Sequence, residues 1–214
     1  MPKENKKDAA YQIIKQGILS GEFRSGEIYN LNELSDQINI SNTPTREALL
    51  VLEHEGLIEP IPRTGYMVTP ITITDVLEMF QLRRLLEGEA IRLAVANMNA
   101  EIIQSLELNN KAERDIFNKS SENISNQKYL EGFKLNTEFH LIIANASGNS
   151  HLARLIEKLL NEMERTLARD PFLCHSKQHV KIIKALKDKD KTAAQKAMEE
   201  HLEETKSRLM QVYP

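Results

Sequence analysis

Several things are scarce in this sequence, and each shortage narrows what the chain can be. Its 214 residues include a single cysteine, Cys174, and no tryptophan. A lone cysteine excludes an intrachain disulfide and suits a reducing compartment, so a cytoplasmic protein is expected. No apolar run approaches the roughly 20 residues that span a bilayer. The opening "MPKENKKDAA" leads into a polar helix and does not read as a secretory leader. Aromatic residues make up 5% of the chain, while Leu, Ile, Ala, Lys and Glu are plentiful, a composition of helices packed on helices. Positive charge is also short. The net charge is −3, and residues 1–72 hold seven Lys or Arg against ten Asp or Glu. If such a chain binds nucleic acid, it must use a few placed groups, because no general positive field is available.

The first seventy residues carry a clear succession of elements. Ala10, Ile13, Ile14, Gly17 and Ile18 share one face of a helix expected from about Asp8 to Ser20, and "SGEFRSGE" stops it. In "NLNELSDQI", Asn30 can cap a second helix while Glu33 reaches back, with Leu31, Leu34 and Ile38 as the buried stripe. After a short turn, "SNTPTREALLVLEHEGLI" begins with Thr43 as the expected N-cap and Pro44 in the first helical position. Ala48, Leu49 and Leu52 form its apolar face, and Gly56 ends it. "LIEPIPRTGYMVTPI" then reads as two short strands with a tight turn at Pro62–Gly65. Three helices and a β-hairpin, with two helices joined by a short turn, make a winged helix-turn-helix. A recognition helix enters the major groove amino end first, so short polar groups and an arginine belong in its first turn and leucines behind them. The plainer alternative is that Ser41–Thr43 only cap a helix and Arg46 is a solvated surface residue.

The stretch "LSDQINISNTPTREALLVLEHEGLIEPIPRTGYMV" resembles the DNA-binding domain of GntR-type bacterial transcription regulators. The resemblance implies DNA contacts from Asn32, Ser41, Asn42, Thr43, Thr45 and Arg46, and from Arg63, Thr64 and Gly65 on the wing. Asn32 and Asn42 stand where many relatives carry arginine. Asn pairs with adenine where Arg pairs with guanine, so a weaker phosphate hold and less guanine preference are expected at these positions.

Beyond residue 72 the pattern is helical throughout. Thr74 is the expected cap of a long helix beginning at Asp75. Further helices are expected over about Ala100–Lys119, Ser125–Ser147, Asn149–Arg169, His175–Lys187 and Lys191–Gln211. Six such helices make an antiparallel bundle with sites between facing helices. The fold is thus mainly α: a winged domain over 1–72 and a helical domain over 73–214. His140, His179 and His201 each sit inside an apolar stripe, on three different helices. Buried imidazoles need partners. Either each is bonded to its own neighbour in the core, or the three converge on one metal ion. His175 competes with His179, whereas His54 and His151 read as surface or helix-end residues. Arg83 and Glu87 also fall inside an apolar stripe, with Val76, Phe80, Ala90, Ile91 and Ala94. They can form an internal i,i+4 pair, or Arg83 can hold a ligand carboxylate.

"NTEFHLIIANASGNSHLARLI" and "HVKIIKALKDKDKTAAQKAMEEHLEET" are similar to the all-helical effector domain, called FCD, of the FadR-like branch of GntR regulators. The pattern falls on Asn136, His140, His179, Asp190 and His201. The resemblance implies a metal site at Asn136, His140, His179 and His201, with a small carboxylic-acid effector beside or on the ion and Arg83 as effector-binding residue. The metal expected is zinc, with nickel or manganese as alternatives. Asn136 departs from the aspartate of metal-binding members. Three neutral imidazoles and an amide oxygen leave a divalent charge uncompensated, so metal and anionic effector are expected to bind cooperatively.

The whole reads as a ligand-responsive DNA-binding regulator, a repressor of a metabolic operon, acting as a homodimer on a palindromic operator. An enzyme is disfavoured: there is no H-E-x-x-H and no Glu three residues before any histidine. A metal-free helical interaction module with a degenerate wing would show neither operator affinity nor bound metal.

Overall fold

The computed structural model of the chain describes residues 5–118, 126–167 and 176–212. The chain divides into two compact units, Met1–Ile71 and Thr72–Pro214.

The first unit holds α1 (Lys6–Ser20), β1 (Ile28–Tyr29), α2 (Leu31–Gln37), α3 (Asn42–His54), β2 (Ile58–Ile61) and β3 (Gly65–Val68). Its core is a single cluster in which Ala10, Ile14 and Ile18 of α1 meet Leu34 and Ile38, Ala48, Leu49 and Leu52 of α3, and Leu57, Ile58 and Val68. Ile13, expected on the buried stripe of α1, is 43% exposed. The apolar stripe there is narrower than the sequence suggests. Asn30 and Glu33 form the expected capping box of α2. Helix α3 closes with a Schellman motif, in which Gly56 N–H donates to Glu53 O and Leu57 N–H to Leu52 O. Gly56 supplies the required left-handed conformation, at φ 70°.

The sheet has the order β1-β3-β2, antiparallel throughout. Strand β1 is absent from the sequence reading, since two residues carry no alternation to read. It pairs Ile28 with Met67 and Tyr29 with Tyr66. This pairing explains Gly65: a Cβ there would collide with the backbone oxygen of Tyr29.

Two expected caps move. Helix α3 starts at Asn42 with Ser41 as N-cap, not at Pro44 with Thr43. Proline lacks only an N–H that the whole first turn leaves unpaired, so it fits at more than one first-turn position. The long helix α4 (Ile73–Asn97) is capped by Thr72, not Thr74. Thr72 has Asp75 three residues on, and the two form a reciprocal capping box. Thr74 has Leu77 at the equivalent place and cannot.

The second unit continues with α5 (Ala100–Asn118), α6 (Asn126–Ala146), α7 (Ser150–Leu167), α8 (Ser176–Lys187) and α9 (Lys191–Val212). Helix α4 packs on α9, α6 and α7; α5 lies against α6 and α8; α8 packs on α9. The expected stripe of α4 is buried along its length, from Val76 through Phe80, Arg83 and Glu87 to Ala94. Among the described residues, no helix is long and apolar enough to cross a membrane.

Candidate functional site

Two sets of polar side chains stand out, one in each unit. In the first unit, Asn32, Ser41, Asn42, Thr43, Arg46, Arg63 and Thr64 are exposed, and Gly65 is half-buried. The first four and Arg46 gather around the amino ends of α2 and α3, where Asn42 Nδ2 donates to Asn32 Oδ1 at 2.9 Å. Arg63 sits in the hairpin turn in the left-handed region, at φ 64°. Thr45 does not belong to this surface. It is fully buried, and its hydroxyl donates to Ser41 O at 3.0 Å and lies 3.4 Å from Ile40 O. The residue ties the turn before α3 to the helix, and its side chain cannot reach a duplex without breaking that tie.

In the second unit, His140 of α6, His179 of α8 and His201 of α9 come together. One ring nitrogen from each lies within 4.8 Å of the other two, and all three residues are buried. Their rings are held from behind. His140 Nδ1 lies against Glu87 Oε2 of α4. His179 Nδ1 meets Glu113 Oε2 of α5 at 2.9 Å. His201 Nδ1 meets Gln178 Oε1 of α8 at 2.9 Å. Gln178 Nε2 donates in turn to Glu204, which fixes the amide's orientation. Each acceptor calls for a proton on Nδ1, which in a neutral ring leaves the lone pair on Nε2. Phe139 stacks on His179, ring centroids 3.8 Å apart, and fixes its plane.

For His140 and His201 the electrostatics favour the neutral ring. Burial pushes His140 below the ordinary imidazole value, and Glu87 offsets this only in part. Burial pushes His201 well below it, reinforced by His179 and His140. Burial alone would raise the Glu87 carboxyl, but Arg83 and His140 outweigh it and hold the group at about 2.

This donor set fits a divalent metal. His201 Nε2 and His140 Nε2 face each other at 3.2 Å, and His179 Nε2 is buried with no hydrogen-bond partner. Lone pairs turned toward one another in a dry interior repel unless a proton or cation lies among them. Neutral imidazoles are also the form that ligates.

Other predicted residues fall as follows. Asn136 is buried one turn before His140 on the same face of α6. Asp190 is exposed and caps α9, accepting from Ala193 N at 2.9 Å. Arg83 forms the internal pair: its Nε donates to Glu87 Oε1 at 2.5 Å, and Nη2 lies 3.4 Å from His140 Nε2. His54 and His151 are exposed, and His175 lies outside the described residues. The expected donor set of three imidazoles and an amide leaves a divalent charge uncompensated, but two carboxylates, Glu87 and Glu113, touch His140 and His179 from outside it. Glu113 and Gln178 escaped the sequence reading. Glu113 shares the buried face of α5 with Leu106, Asn109 and Asn110, a face too polar to register as core.

Residues 6–68 match the family of bacterial regulatory proteins, gntR family, and residues 78–204 match the FCD domain. The chain belongs to the GntR family, with an FCD domain as its second part. It is 32% identical over 148 residues to the HTH-type transcriptional regulator YdhC of Bacillus subtilis. That match takes in 69% of this chain and 63% of YdhC, so the chain spans a little under two thirds of that relative. It is 28% identical to the Uxu operon regulator of Haemophilus influenzae, over 94% of this chain and 80% of that one. The HTH-type transcriptional repressor RspR of Escherichia coli is 26% identical, over 94% and 88% of the two chains. In fold, the chain resembles E. coli McbR/YncC with a TM-score of 0.74, over 96% and 97% of the chains at 22% identity. These relatives are transcriptional regulators, not enzymes.

Proposed function

We propose that this chain is a ligand-responsive transcriptional regulator in which residues 1–72 bind a palindromic operator and residues 73–214 sense a small carboxylic acid at a metal centre and hold two copies together. The observation that carries the sensing part is the buried triad of His140, His179 and His201, each with its outer nitrogen engaged and its Nε2 turned inward. His140, His179 and His201 would hold the ion, with Asn136 beside them on α6. A bound divalent ion would add a fixed positive charge that attracts a carboxylate. Arg83, already aimed at His140 Nε2, supplies the second cation for that carboxylate.

DNA binding is supported by the exposed polar cluster at the amino ends of α2 and α3, backed by a leucine core. Asn32, Ser41, Asn42, Thr43 and Arg46 would face the major groove, and Arg63 and Thr64 the flanking backbone or minor groove. Thr45 and Gly65 act by shaping the backbone that presents them. A single winged unit without a positive field binds weakly, and two joined units add their contacts on a two-fold site. Leu77, Leu82 and Leu85 of α4 are exposed, which suits burial against a second copy. Repression with release by effector is the simplest sign of regulation. Effector acts only through a difference in affinity for two arrangements of the protein.

One experiment tests the reading. The purified chain is selected against random duplexes with and without chelator and a panel of small carboxylic acids, with metal content measured in parallel. Recovery of a two-fold site, metal near one ion per chain, and an acid that changes site affinity are expected. A metal-free protein that selects no duplex under any condition would refute it.

A further inference from the structure

The charge balance of the triad turns on a residue outside it. No carboxylate lies among the expected donors: His140, His179 and His201 are imidazoles, and Asn136 brings only an amide. Glu87 touches His140, but Arg83 lies 2.5 Å away and matches its charge. Glu113 is different. It is fully buried, and its Oε2 meets His179 Nδ1 at 2.9 Å. Its other oxygen, Oε1, has no hydrogen-bond partner. A buried carboxylate set against the His179 ring, with one oxygen unpaired, is costly by itself. A cation on the far side of that ring removes the cost, since a carboxylate behind an imidazole strengthens it as a ligand.

We infer that Glu113, acting through His179, supplies the negative charge that Asn136 does not, and is the positioning residue on which metal affinity in this chain chiefly depends. The inference rests on the metal reading above. It separates charge from shape. Gln at position 113 can still accept from His179 Nδ1, so Glu113→Gln removes the charge and keeps the bond. Asn136→Asp restores a carboxylate on the other side of the site.

The test uses the full chain stripped of metal. Zinc affinity is measured by competition with a chromophoric chelator for wild type, Glu113→Gln, Asn136→Asp and the double variant, beside the melting temperature of each metal-free form. Glu113→Gln should weaken zinc by about 10- to 100-fold without lowering the metal-free melting temperature. Asn136→Asp should tighten zinc, and the double variant should return close to wild type. Glu113→Asp, which keeps the charge and shortens the reach, should lose less than Glu113→Gln and covers the case in which the glutamine variant folds poorly. Zinc affinity of Glu113→Gln within about threefold of wild type, or a double variant as weak as Glu113→Gln, overturns the inference while leaving the metal site standing. Absence of measurable zinc binding by wild type overturns the metal reading itself.

Discussion

The two units keep their polar working groups in opposite surroundings. In the winged unit, Asn32, Ser41, Asn42, Thr43 and Arg46 stand in solvent on a leucine core that makes no use of them. In the helical unit, Arg83, Glu87, Glu113, His140, His179 and His201 are each at most 4% exposed and take the place of core. An exposed group can be exchanged without disturbing the fold, so specificity there is cheap to alter. A buried polar group is bound into the packing around it, so whatever that site does is tied to the stability of the fold. Mutations should therefore separate binding from folding in the first unit and fail to separate them in the second.

The largest contrast should come from a pair of substitutions. Glu87→Ala strands the buried Arg83 and should cost about 3–5 kcal/mol in chemical denaturation. Arg46→Ala should leave stability within about 0.5 kcal/mol and yet abolish operator binding in a mobility-shift assay. Equal stability losses from the two would erase the distinction drawn between the units.

Metal should act on one side only. Saturating zinc at roughly a hundred times its dissociation constant should add about 2.7 kcal/mol to the helical unit, read by calorimetry with and without chelator. His179→Ala should abolish that increment.

Acid should also discriminate. His140 and His201 have folded pKa values below the ordinary 6.5, so the unfolded chain binds more protons once the pH drops beneath that value. Stability of the metal-free helical unit is thus complete above pH 6.5 and is lost as the pH falls toward the folded values, by at most about 1.4 kcal/mol per pH unit for each histidine. Glu87 adds a second loss between its ordinary 4.5 and about 2. A melting temperature flat between pH 7 and 5 in metal-free protein would contradict the neutral state assigned to the two rings.

The smallest effect should be the same in both units. Asn30 and Thr72 carry the same reciprocal cap, so Asn30→Ala and Thr72→Ala should each cost about 1 kcal/mol.

Where a local rule decided the outcome, the sequence was readable. The stripe of α4, the capping box of α2 and the glycine stop of α3 follow from spacing alone. The cap of α4 was readable too, because Thr72 and not Thr74 has an acidic residue three places on. Legibility failed where the deciding partner is distant in the chain. Strand β1 exists because β3 lies beside it. Glu113 can be buried because His179, 66 residues later, donates to it. A hydrophobic pattern ranks Asn109, Asn110 and Glu113 as surface, and nothing near them in the sequence says otherwise. The three histidines fell between these cases: their burial was legible, their convergence was not.

Helix α4 begins at the junction and reaches Arg83 and Glu87 within four turns. Between Ile73 and Glu87 it contains neither glycine nor proline, and Gly88 comes only after them. At about 1.5 Å per residue, this stretch is a stiff rod some 20 Å long with no joint along it. A tilt imposed on the helix at Arg83 would therefore travel to Thr72 as rigid motion, leaving the short segment around Pro70 as the first place where it could be absorbed.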